Sequence, residues 1–235
     1  MHSRRWFCSC VGATVAAGFT AARATAEPAA CAVLTRATQS AVDPDAAIAR
    51  LREGNARFVS GEMIHCDLRA QVRATARGQA PFAAVVGCID SRVPPEFVFD
   101  QRIGDIFCAR IAGNFVNTDI IGSLEFATRM TGARAIVVLG HSECGAIKGA
   151  IDDVRLGNLT AMLANIRPAV SAAMTDGERS SKNAAFVQAV AESNAAMAAA
   201  MLTEKSEILK GLVADKKLRI AAAMHDVATG KIHFL

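Results

Sequence analysis

PFAAVVGCIDSR, residues 81–92, decides the fold. After Pro81 the chain runs Phe82 to Gly87 without polar alternation, the pattern of a short strand buried on both faces. The run delivers a cysteine, an aspartate and an arginine in quick succession. The same layout returns in RAIVVLGHSECG, residues 134–145, where an apolar run bounded by Gly132 and Gly140 delivers a histidine and a cysteine. DIFCARI, residues 105–111, reads as another strand, and Asp119 to Met130 reads as a helix. Lys217 to Met224 is a fourth strand, and the turn Ala228-Thr229-Gly230 leads into a last one, Lys231 to Leu235. Strands separated by helical stretches predict an α/β fold with a mostly parallel central sheet flanked by helices.

Outward from that sheet the pattern is helical. Asp43 is a predicted N-cap with Pro44 at the first helical position. Ile48, Leu51, Ala56, Phe58 and Val59 give the helix an intermittent apolar face as far as Gly61. A second helical stretch runs from Leu68 to Ala76. Residues 159–214 are helical by composition. The stripe Phe186, Val190, Met197 and Met201 in the alanine-rich run reads as core or subunit packing rather than a cofactor box. The expected organisation is one domain over residues 43–235, preceded by a linker at 27–42.

Residues 1–26 read as an export signal. Arg4 and Arg5 form a positive start, Val11 to Ala22 is apolar, and Ala24-Thr25-Ala26 offers a small-residue cleavage site. The paired arginines resemble a twin-arginine type of signal, which carries folded proteins, so the expected location is the periplasm; an ordinary secretory signal or a retained N-terminal anchor is the alternative. No other stretch reads as long and apolar enough to span a bilayer. Three of the chain's 26 basic residues and none of its 22 acidic ones lie in that leader, so the remainder is near neutral. With no basic stripe interleaved with aromatics, a nucleic-acid partner is not expected. Past the leader remain Cys31, Cys66, Cys88, Cys108 and Cys144. In an oxidising compartment some of these are expected to pair. Cys66 and Cys108 read as buried core thiols, with a bridge between them left open.

The two post-strand segments carry the chemistry. In an open parallel sheet, sites gather beyond the carboxyl ends of the strands. Cys88 and His141 emerge there, and Cys144, three residues after His141, can face the same point. Two thiolates and an imidazole form a soft-to-borderline donor set suited to Zn²⁺, and three protein ligands leave the open position of a catalytic site. Asp90 and Arg92 alternate with Cys88 along an extended segment. A bidentate pair with Arg92 would hold the carboxylate away from the metal.

CIDSRVPPE and HSECGAIKG resemble the two signature motifs of the β-class carbonic anhydrases. Supporting stretches are FAAVVGC, RIAGN (110–114), GSLEFA (122–127) and the closing TGKIHFL. The resemblance implies zinc on Cys88, His141 and Cys144, reversible hydration of CO₂ to bicarbonate and a proton, and an Asp90–Arg92 dyad whose Asp90 binds zinc in a closed state. It assigns substrate contacts to Gln79 and to the backbone N–H of Gly145. It assigns an apolar CO₂ pocket to Phe107, Ala112 and Phe126, the last replacing the family's usual Tyr. An inhibitory bicarbonate site that needs Trp and Tyr is not expected, since the chain has no Tyr and its single Trp lies in the leader. The resemblance also implies a homodimer or homotetramer, with helices from Asp43 to Gly78 as an arm over a partner; the alternative is a cover on their own sheet. His65, His225 and His233 are open as proton relays. Two rivals stand beside CO₂ hydration: a CS₂ or COS hydrolase on the same scaffold, and a non-catalytic exported zinc-binding protein.

Overall fold

A computed structural model of the protein describes residues 31–235; the leader expected at 1–26 lies outside these. Five strands form one sheet: β1 (Ala83–Gly87), β2 (Ile106–Arg110), β3 (Ala135–His141), β4 (Arg219–His225) and β5 (Ile232–Phe234). Their order is β2-β1-β3-β4-β5. The first three pairings are parallel and β4–β5 is antiparallel. Each expected strand is present within two residues of its expected ends.

The register matters most for function. Gly87 at the end of β1 lies beside Leu139 of β3 and beside Arg110 of β2. The two motif-bearing strands are therefore immediate neighbours and stop at nearly the same height. Both are buried throughout. Alternate residues feed two cores. Ala84, Val86, Ile136 and Val138 pack with Phe186, Val190, Ala195 and Leu202 of α9 (Ala184–Lys205). Val85, Val137 and Leu139 pack on the other face with Phe82, Phe99, and Ala47 and Leu51 of α2 (Pro44–Ser60). At about 1.5–3 kcal/mol for each large side chain removed from water, these two layers dominate the fold's stability.

Local signals explain the helices. Asp43 caps α2 by accepting from the N–H groups of Asp45 and Ala46, Pro44 opens it, and Gly61 closes it at φ 78°. Gly54 lets α2 lie directly on the chain beneath, because a Cβ there would sit 1.8 Å from Phe99 O. α2 thus covers its own sheet. The next helix, α3 (Leu68–Thr75), leaves Leu68 and Val72 exposed. Arg36–Ser40 forms a further short helix, α1. The expected helix at 119–130 becomes α5 (Thr118–Glu125) followed by a π turn at Phe126–Met130.

Three readings are corrected. The described part of the expected linker is packed: Gln39 is buried and donates to Pro81 O and Thr131 O, and Arg36 donates to Thr131 O. Its apolar residues follow no helical or strand period, and buried polar side chains share in holding it, with Leu34 and Val42 against the core. Cys66 is neither an inert thiol nor Cys108's partner; it is disulfide-bonded to Cys31 across 35 residues. Cys108 stays a free thiol on β2. Finally, α9 is long and apolar enough by composition to cross a membrane. Its apolarity is met here by packing on β3 and β4.

Candidate metal centre

Cys88 follows β1 directly, His141 ends β3, and Cys144 precedes α6 (Gly145–Ile151) as its N-cap. Their donor atoms all lie within 4.8 Å of one another and all three residues are buried. His141 is fully buried. Its Nδ1 meets Ser142 O at 2.9 Å, while its Nε2 has no hydrogen-bond partner. A buried ring nitrogen left bare costs free energy unless something else takes its lone pair. A ring nitrogen of His141 lies within 4.8 Å of both sulfurs. The Cys144 hydrogen bond pulls the Cys88 thiol down to about 4, against the desolvation of burial, and the same bond pushes the Cys144 thiol up. A ready thiolate, a second sulfur and an unpartnered imidazole nitrogen fit Zn²⁺.

The dyad stands beside this cluster. Arg92 Nε and Nη2 donate to the two oxygens of Asp90 at 2.9 and 2.8 Å, and the Arg92 backbone N–H adds a third bond at 3.0 Å. These bonds hold the Asp90 carboxyl well below the usual carboxylate range. Asp90 Oδ2 is 3.9 Å from His141 Nε2. The carboxylate is thus occupied by Arg92 on both oxygens while one of them borders the cluster.

Residues that the sequence reading passed over complete the arrangement. Gly113 N–H donates to Cys88 Sγ at 3.3 Å, and Asn194 of α9 donates to Gly113 O at 2.7 Å. Gly113 sits at φ 79°, and a Cβ there would come within 2.5 Å of Ile166 Cδ1. The backbone conformation at Gly113 favours glycine, and a side chain there would also have to displace Ile166. RIAGN contained the signal, but only the fold shows which atom the Gly113 amide meets.

The predicted substrate residues divide. Ala112 adjoins Gly113, and Gly145 opens α6 next to Cys144. Phe107 and Phe126 meet edge-on with ring centroids 6.4 Å apart. They line an apolar groove of about 710 Å³ with Ala84, Ala109 and Thr118, and none of the three candidate ligands lines it. Gln79 is exposed, before β1 rather than after it, beside Thr75, Ile103 and Gly104. The length of β1 separates Gln79 from this chain's own cluster.

Among the relay candidates, His65 and His233 are exposed. His225 lies beside His141 in the sheet, is 3% exposed, and has both ring nitrogens unpartnered. Burial, with help from His141, lowers its pKa from 6.5 to about 4. The unfolded chain takes up this proton near 6.5 and the folded one only near 4. Stability is therefore full above 6.5 and declines as pH falls through that window. About 2 kcal/mol of unfolding free energy should disappear between pH 7.5 and 5 on this account. Urea unfolding at the two pH values checks it, since His225→Leu should show a loss smaller by that amount.

The family model described as carbonic anhydrase matches residues 83–232, which takes in β1 to β4, the cluster and the dyad. The chain belongs to the carbonic anhydrase family. Carbonic anhydrase 2 of Mycobacterium tuberculosis is 43% identical over 118 residues, half of this chain and 57% of that relative's length. The matched segment thus spans little more than half of that relative. A carbonic anhydrase of Pseudomonas aeruginosa is 30% identical over 170 residues, 69% of this chain and 77% of the relative. Among solved structures, tetrameric β-carbonic anhydrases of Sordaria macrospora superpose with TM-score 0.61 at 28% identity, covering 69% of this chain and 84% of that one. A β-carbonic anhydrase of Aspergillus fumigatus gives TM-score 0.62 at 25% identity, covering 81% and 89%. The family's mostly parallel sheet flanked by helices is the fold found here.

Proposed function

We propose that the protein catalyses zinc-dependent, reversible hydration of carbon dioxide to bicarbonate and a proton. The observation that carries this is the buried Cys88–His141–Cys144 cluster, with a bare imidazole nitrogen, bordered by a carboxylate held on both oxygens by Arg92. A purely structural zinc site would not need that carboxylate. Cys88, His141 and Cys144 would hold the metal. Bound there, zinc supplies Lewis acidity that makes water a nucleophile near neutral pH.

The chain's own groups do the rest. Asp90, kept ionised and immobile by Arg92, accepts a hydrogen bond from the attacking oxygen's proton and so aims its lone pair at carbon. Ala112 offers an apolar wall beside Cys88, and the Gly145 N–H at the start of α6 can donate to the oxygen on which charge develops. The new C–O bond forms as one C=O π pair moves onto oxygen, and the water's other proton passes to buffer. The test is stopped-flow CO₂ hydration on the purified protein, with zinc content measured in the same sample. CS₂ and COS assayed alongside cover the first rival reading. The relatives' carbonic anhydrase names support neither rival.

We also propose that the working form is a dimer or tetramer. The tetrameric Sordaria relatives support this, as does the placement of Gln79, Phe107 and Phe126 away from their own chain's cluster. Their substrate contacts require a second subunit. Sedimentation at assay concentration checks it, and an active monomer would remove these three residues from the pocket.

Export is the third part of the proposal. The leader's layout supports it, and so does the Cys31–Cys66 disulfide, a bond suited to an oxidising compartment. Closing a 35-residue loop is expected to stabilise by about 3–4 kcal/mol in the chain-entropy account. Cys31→Ser should therefore lower Tm by roughly 6–16 °C, measured calorimetrically with zinc bound. In cells blocked for twin-arginine export, peptide mapping should find both cysteines reduced. An intact bridge there would count against the export-dependent reading.

A further inference from the structure

Arg110 is the last residue of β2 and lies beside Gly87 in the sheet. Its Nε donates to the carbonyl of Cys88 at 2.8 Å and its Nη2 to the carbonyl of Asp90 at 2.6 Å. β1 has ended at Gly87, and residues 88–90 belong to no strand or helix. One guanidinium therefore spans the two carbonyls on either side of Ile89, whose own side chain is 62% exposed.

The two residues so gripped are the thiolate and the dyad carboxylate. The chain just beyond Arg110 holds the same segment twice more, through Ile111 N–H to Gly87 O at 3.0 Å and Gly113 N–H to Cys88 Sγ at 3.3 Å. Residues 110–113 thus hold residues 87–90 at four points. Among them only Arg110 reaches Asp90. A guanidinium's donors are fixed in one plane, so two bonded carbonyls are held at a set separation and angle, which a lysine's single ammonium cannot do. A small rotation of the peptides around Ile89 would carry the Asp90 carboxylate off Arg92 or further toward the cluster, since Oδ2 already lies 3.9 Å from His141 Nε2.

We infer that Arg110 is a positioning residue that locks the backbone between Cys88 and Asp90, setting where the carboxylate stands relative to the metal donors. Its kinetic part rests on the hydration reading; its metal-binding part does not.

The test uses the full chain with Arg110→Met and Arg110→Lys. Zinc affinity is measured by competition with a chromophoric chelator, donor geometry by the visible spectrum of the cobalt-substituted protein, and kcat, KM and Tm in parallel. Arg110→Met should weaken zinc binding by about tenfold or more, shift the cobalt bands, and lower kcat by about 10²-fold with KM little changed. Arg110→Lys should recover only part of each. Wild-type affinity, spectrum and kcat in Arg110→Met would overturn the inference. So would losses that merely follow a large drop in Tm to the same extent in both variants. If the wild type hydrates no CO₂ yet Arg110→Met still shifts the cobalt spectrum, the hydration reading fails and the positioning role stands. If the wild type is active and the spectrum does not move, the reverse holds.

Discussion

Asp90→Asn is expected to lose about 10²–10⁴-fold in CO₂ hydration while keeping its zinc. The three candidate ligands are untouched, so metal content should stay near one per chain. What changes is the acceptor. An amide keeps the size of the carboxylate but presents an NH₂ group where Arg92 offers only donors, so at least one of the two bonds at 2.9 and 2.8 Å is lost. The group bordering the cluster is then uncharged and less firmly held. Arg92→Ala should reach a similar activity by another route, freeing the carboxylate instead of neutralising it. Arg92's side chain is half exposed, so its removal should cost little stability. Stopped-flow rates on samples of known zinc content decide the matter, and near-normal kcat in either variant removes the dyad from the mechanism.

Cys144→Ser should abolish stoichiometric zinc binding without disturbing the fold. Serine offers a harder, far less acidic donor in place of a thiolate. A loss of several kcal/mol from a three-ligand site weakens affinity by 10³-fold or more, since about 1.4 kcal/mol is tenfold. The substitution is clean because position 144 is the N-cap of α6, where serine is among the favoured residues. The metal-free variant should therefore match the metal-free parent in Tm. Added zinc should raise Tm in the parent alone, by the stabilisation expected of a ligand far above its Kd. Metal analysis after dialysis reads the result directly, and one bound zinc per chain in Cys144→Ser would exclude Cys144 as a ligand.

The sheet and the Cys88–His141–Cys144 cluster were legible because each depends on short-range pattern. Val85-Val86 and Val137-Val138 sit in runs too apolar for anything but an interior strand, and each run ends on its chemistry. The Cys31–Cys66 bond was not legible. Pairing is decided by which chains pass close in space, and Cys108 carries the same sequence signal while lying on β2, its thiol pushed up by burial and by Glu96. The Asn194–Gly113 contact joins residues 81 apart and has no local trace. The π turn at Phe126 was read as helix because one shifted turn leaves the apolar periodicity almost intact. Gln79, Phe107 and Phe126 show the opposite limit. Their types could be matched to a pocket, yet one chain folds them away from its own cluster.

The side-by-side placement of β1 and β3 sets the gauge of the whole centre. Adjacent strands run about 4.8 Å apart whatever connects them. Because Gly87 and Leu139 are level, sulfur and imidazole arrive together as if from two tines of one fork. Outside Arg110–Gly113, which grip residues 87–90 directly, the excursion between Val93 and Arg134 can therefore acquire new duties without retuning the distance between the two tines.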